Sequence, residues 1–113
     1  MASLERFTER ARDVLLAANQ VLRRYSQTQL DVEHLLLAML EQEDALAEKV
    51  LLHLGVDTEA LRTKLDRFLA RQPSVTVHGG GVAQIYVTPT LERVLDLAEK
   101  EADRLQDTHV GVE

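Results

Sequence analysis

The apolar positions of this chain fall into five blocks with helical spacing. Phe7, Ala11, Val14, Leu15, Ala18, Leu22 and Tyr25 recur by threes and fours, which predicts a helix over about Thr8 to Tyr25. The Thr8 hydroxyl is placed to cap it. Leu16 falls nearly opposite that stripe, at about 100° of rotation per residue. Asp31 can cap a second helix with Leu35, Leu36, Met39 and Leu40 inward. A short third helix carries Leu46, Ala47, Val50, Leu51 and Leu54, and Gly55 offers a left-handed stop. Asp57 or Thr58 opens a fourth, with Leu61, Leu65, Phe68 and Leu69 inward.

Residues 72–87 break the periodicity. They hold Pro73 and the run Gly79-Gly80-Gly81, which reads as a flexible linker with Ile85-Tyr86-Val87 briefly extended. Thr88-Pro89 then restarts a helix, a capping hydroxyl followed by proline at the first helical position. This fifth helix is expected to bury Leu91, Val94, Leu95, Ala98, Ala102 and Leu105, with Leu97 just outside the stripe.

The chain repeats itself at an offset of 80 residues without a gap. Thr8/Thr88, Val14/Val94, Leu15/Leu95, Ala18/Ala98, Arg24/Arg104, Thr28/Thr108, Val32/Val112 and Glu33/Glu113 are identical, and Ala11/Leu91 and Leu22/Ala102 stay apolar. One structural unit is used twice. The expectation is an all-α, two-repeat helical bundle with pseudo-twofold symmetry and no sheet. It divides into a first repeat at 1–71, a linker at 72–87 and a second repeat at 88–113. That second repeat is truncated. In the first copy Glu33 leads into an apolar helix, and its counterpart Glu113 is the last residue, which implies a fragment of a longer chain.

Composition narrows the function. At 113 residues and 45% hydrophobic, the chain suits one globular domain, and with 4% aromatics its core is built from Leu, Val and Ala. The formal charge is −6, with the acidic excess mostly after residue 72, so a phosphate backbone is repelled. Cysteine is absent, which excludes thiol catalysis. No signal pattern opens the chain, and no apolar run approaches the roughly 18–20 residues that span a bilayer. These features suit a soluble, cytoplasmic protein that binds neither membrane nor nucleic acid. The glycine run lacks the Lys-Ser/Thr of a phosphate loop, so no ATP site is expected in this chain. His34, His53, His78 and His109 show no metal spacing. Ala38 stands four residues after His34, where a helical zinc pair needs a second histidine. His34 is expected to pack or hydrogen-bond near a helix start.

Three strings carry a resemblance. They are Phe-Thr-Glu-Arg-Ala-Arg at 7–12, Leu-Asp-Val-Glu-His-Leu-Leu-Leu-Ala-Met-Leu at 30–40, and the restart Val-Thr-Pro-Thr-Leu-Glu-Arg-Val-Leu at 87–95. The chain resembles the double repeat at the N-terminus of Clp-type AAA+ protein unfoldases. The Leu-Glu-Arg-Phe-Thr opening is similar to the disaggregase branch, ClpB, and the Val-Gly-Val-Glu ending to the protease-linked branch, ClpC. The resemblance implies a non-catalytic module that recruits unfolded or aggregated clients, or adaptor proteins. Its parent would be a homo-hexamer whose ATPase uses ATP and Mg elsewhere in the sequence.

The resemblance also implies site residues. In the protease-linked branch, glutamates matching Glu33 and Glu113 bind the guanidinium of phosphoarginine. In the disaggregase branch, positions matching Thr8, Asp107 and Glu113 contact substrate. Each has a plainer role too. Thr8 serves as a cap, Asp107 as a loop residue, and Glu33 and Glu113 as partners of a helix dipole. Leu97 would make a small apolar groove if it clustered with Val21 and Tyr86. A regulatory helical domain that binds nucleic acid or another protein is the alternative. It lacks the basic recognition helix that the nucleic-acid version needs.

Overall fold

The computed structural model describes residues 9–42, 46–75 and 84–111. Among the described residues, five α-helices and two very short strands follow in the order α1 Glu9–Arg24, β1 Gln29–Leu30, α2 Val32–Glu41, α3 Leu46–His53, α4 Thr58–Arg71, β2 Tyr86–Val87 and α5 Pro89–Gly111. The chain is all-α, as its periodicity predicts. The expectation of no sheet is corrected. β1 and β2 pair in parallel, Gln29 opposite Tyr86 and Leu30 opposite Val87. Each strand leads directly into a helix, so the ladder clamps the starts of α2 and α5 together.

Two helices end in left-handed turns. At Gly55, φ is +84°, and the Gly55 and Val56 amides donate back to the Leu52 and Leu51 carbonyls at 3.0 and 2.9 Å. At the end of α1 the same motif uses Ser26, with φ +54°, and the Gln27 amide donates to Leu22 at 3.1 Å. These bonds occupy carbonyls that a helix end leaves without partners. At Ser26 a non-glycine residue holds the left-handed position.

The core joins α1, β1, α2, α4 and the start of α5. Ala18, Val21 and Leu22 pack against Leu37, Ala38 and Leu40, with Leu30, Leu65, Leu69 and Leu91 completing it. α2 is apolar almost all round, so spacing alone did not single out Leu37 and Ala38 as its deepest residues. Three burial expectations are corrected. Phe68, which lies on the α4 stripe, is 45% exposed because it sits beside a cleft. On α3 no residue is fully buried: Ala47 and Leu51 face the body, while Leu46, Val50 and Leu54 face outward. On α5, only Leu91 and Leu95 reach the core among the described side chains, and Val94, Ala98 and Ala102 are exposed.

That last difference has a structural reason. α1 covers Ala18 and Leu22 with α2. The positions 80 residues later, Ala98 and Ala102, have no such helix over them among the described residues. Arg62 fastens the outer side of the body. Its guanidinium donates to the Leu40 carbonyl at 2.7 Å, to Glu48 at 2.6 Å and to Glu59 at 3.1 Å, tying the end of α2 to α3 and α4. No helix among the described residues is long and apolar enough to cross a membrane.

Candidate functional site

The start of α2 is built from four consecutive residues, Asp31-Val32-Glu33-His34. Asp31 is the N-cap in extended backbone, and its carboxylate accepts from the Val32 amide at 2.8 Å. His34 occupies the third helical position, where a capping box ordinarily uses Glu or Gln. Its Nδ1 accepts from the Asp31 amide at 3.0 Å. A nitrogen that accepts carries no proton, so the neutral ring must hold its hydrogen on Nε2. Nε2 lies 2.7 Å from the Gln27 side-chain oxygen and donates to it. Gln27 in turn donates from Nε2 to the Leu69 carbonyl at 2.6 Å. Leu69 lies in the last turn of α4, and its carbonyl also accepts from the Gln72 amide at 3.1 Å. One buried chain of bonds thus joins the start of α2 to the end of α4. Burial lowers the His34 pKa below its ordinary value, and the Asp31 and Glu33 charges only partly oppose this.

Asp31 has a second partner. The Thr88 hydroxyl donates to its Oδ1 at 2.8 Å and accepts from the Leu91 amide at 3.1 Å. Thr88 therefore caps α5 and, through its own hydrogen, binds the cap of α2.

Beside this junction lies a cleft of about 260 Å³, lined on one side by Gln27, Thr28, Gln29, Asp31, Glu33 and His34 and on the other by Phe68, Leu69, Gln72, Pro73 and Val75. Its far wall is largely apolar. Glu33 is half-buried and makes no hydrogen bond or ion pair among the described residues. It is an anion at the edge of a partly apolar cleft, one position inside the positive end of a helix.

The expected site residues are dispersed. Glu33 lines this cleft. Leu97 is 57% exposed on α5, in a separate, open depression of about 340 Å³ with Pro89, Glu92, Arg93, Asp96 and Lys100. The two depressions share no lining residue. Thr8 and Glu113 lie outside the described residues. Asp107 belongs to α5 by its backbone, not to a loop, and its side chain lies outside those described. The groove of Leu97 with Val21 and Tyr86 is corrected, because Val21 is in the core. Among the described residues, no group of three or more His, Asp or Glu is placed to hold a metal ion. The cleft residues that the sequence did not suggest are Gln27, Gln29, Phe68, Gln72 and Val75. Phe68 sits at core spacing, and nothing local marks the others.

Comparison with known proteins gives a consistent result. The model of the Clp repeat (R) N-terminal domain matches residues 6–113. The chain is 36% identical over 110 residues to the chaperone protein ClpB of Bacillus cereus, covering 97% of this chain and 13% of that protein. It is 39% identical over 108 residues to chaperone protein ClpB 1 of Synechocystis sp., covering 96% of this chain and 12% of that one. Chaperone protein ClpB 1 of Nostoc sp. is 36% identical over 108 residues, with 96% and 12% covered. The chain thus spans about an eighth of the length of the relatives it matches.

Proposed function

The chain belongs to the Clp repeat N-terminal domain family, and from that premise we propose that it recruits unfolded or aggregated clients, or their adaptors, to an ATP-driven unfolding machine. The similarity to ClpB chaperones favours the disaggregase over the protease-linked role. In this reading the parent is a hexameric ATPase that uses ATP and Mg outside this chain, and the domain works in the cytoplasm. The domain itself does no chemistry. It holds a segment of client until the motor engages it.

The observation that carries the reading is Glu33, a half-buried carboxylate with no side-chain partner among the described residues, beside the apolar wall of Phe68, Leu69, Pro73 and Val75. Such a cleft suits an unfolded segment with one basic or modified arginine side chain among apolar neighbours. The apolar wall supplies sequence-tolerant contact, and the carboxylate supplies selection. Affinity is modest, because an unfolded client loses conformational entropy on binding. The same carboxylate and the net charge of −6 repel nucleic acid.

The test is a peptide titration of the wild type, Glu33→Gln and Leu97→Ser. Glu33→Gln keeps the size and removes the charge. It is expected to weaken an arginine-containing peptide about tenfold and leave a neutral apolar peptide nearly unchanged. Leu97→Ser, on the separate α5 depression, is the control and is expected to leave the binding of both peptides nearly unchanged. Wild-type binding of both peptides by folded Glu33→Gln would move the site to another face.

A further inference from the structure

One side of the two-residue ladder pairs with no strand among the described residues. In a parallel pair, alternate residues turn both backbone groups toward the partner strand. Here the Thr28 carbonyl accepts from the Tyr86 amide at 2.7 Å and the Leu30 carbonyl from the Thr88 amide at 3.0 Å. Gln29 stands between them, so its N–H and C=O point the other way, and the residue is exposed. Thr28 and Gln29 line the cleft, as do Pro73 and Val75, but no residue of β2 or α5 does. The cleft therefore runs along that side of β1. On the approach to it the Val75 amide donates to the Ser26 carbonyl at 2.7 Å.

We propose that the cleft takes an extended segment of client as an added strand on β1. One client residue exchanges both backbone bonds with Gln29, and an Arg or Lys nearby in the same segment reaches Glu33. This rests on the cleft being the client site. The occupant follows from the geometry. An outward N–H and C=O on a sheet edge are a template for another strand. Glu33 has no partner of its own among the described residues, so a cation is the complementary charge. Backbone pairing is blind to side-chain identity, which suits a domain whose clients differ in sequence. The ladder is short because the groups on either side of Gln29 are taken. Thr28 and Leu30 face β2, and the Asp31 amide is bound by His34.

A short ladder makes a sharp test. The probe is a labelled peptide of alternating Val and Arg, prepared as a set in which a single backbone N-methyl group moves along the chain. One position is expected to lose about tenfold in affinity, and its immediate neighbours less than about twofold, since only one residue donates to Gln29. Gln29→Pro removes the outward N–H at a position where an edge strand tolerates proline. It is expected to weaken the unmethylated peptide about fivefold with the melting temperature unchanged. If this variant does not fold, the methyl series on the unaltered chain decides. Uniform tolerance of N-methylation, with binding still weakened by Glu33→Gln, overturns the added strand and leaves client recruitment standing. No binding of any basic peptide overturns both.

Discussion

His34 is held neutral by what its two nitrogens face. Nδ1 receives an amide hydrogen and Nε2 gives one away, and the residue is only 3% exposed. A proton on Nδ1 would meet the Asp31 N–H head on. The folded chain thus releases the His34 proton at a lower pH than the unfolded chain, chiefly through burial. Between the two values the unfolded state binds more protons, so stability rises with pH there. The contribution is complete above about pH 6.5 and is lost as the pH falls below it, by at most about 1.4 kcal/mol per unit. Urea denaturation at about pH 7.5 and about pH 5.5 should show this loss in the wild type. In His34→Gln the amide oxygen still accepts from Asp31, but the bond to Gln27 is lost. This variant should be about 1–2 kcal/mol less stable at the higher pH and show a smaller loss on acidification. Equal losses in both proteins would assign the acid sensitivity to other groups. Ser26 tests strain in the opposite direction. A left-handed non-glycine residue costs about 1–2 kcal/mol, so Ser26→Gly should raise stability by up to about 1 kcal/mol in the same assay. Asp31, Asp57 and Gly55 were legible as caps and stop because each acts within a few residues of itself. The turn at Ser26 was not, since serine does not mark the left-handed region as glycine does.

At the scale of elements, the structure depends on joints between helix ends. Thr88 and Asp31 are 57 residues apart, yet the hydroxyl of one helix cap donates to the carboxylate of another. The cap of α5 was readable from Thr-Pro. The bond across to α2 was not, because nothing in the spacing says which helix starts lie side by side. The parallel ladder that brings them together is two residues long, too short to leave an alternating pattern. Thr88→Val keeps the shape and removes both hydrogen bonds. It should cost about 1–2 kcal/mol, and Thr88→Ser should restore most of it. In a double-mutant cycle with Asp31→Ala, the two losses should fall short of additivity, because each variant removes the bond they share. Strict additivity would show that the two caps act separately.

At the scale of the whole molecule, the two repeats share a pattern and not an environment. The starts of α1 and α5, Glu9 and Pro89, are 80 residues apart, and that offset led to the expectation that α5 buries its stripe as α1 does. Burial needs an opposing surface as well as a stripe. α1 has α2 over Ala18 and Leu22, whereas Ala98 and Ala102 are exposed, as are Leu97 next to Ala98 and Val94 about one turn before it. At about 1.5 Å per residue α5 runs for about 34 Å, and its core contacts among the described side chains end at Leu95. Apolar surface of this kind is stabilised by any partner that removes it from water. The 113-residue chain should therefore self-associate through α5, with a mass by light scattering that rises with concentration. Val94→Glu with Ala98→Glu places two charges on that face without touching Leu91 or Leu95, and should return the chain to a monomer with its helix content unchanged. Glu33 and Gln29 lie on the cleft at the other junction, so this monomeric variant should bind the arginine-containing peptide as the wild type does. A wild type that stays monomeric at the highest concentrations would mean that α5 finds cover within its own chain. A charged variant that loses peptide binding would join the α5 face to the client site.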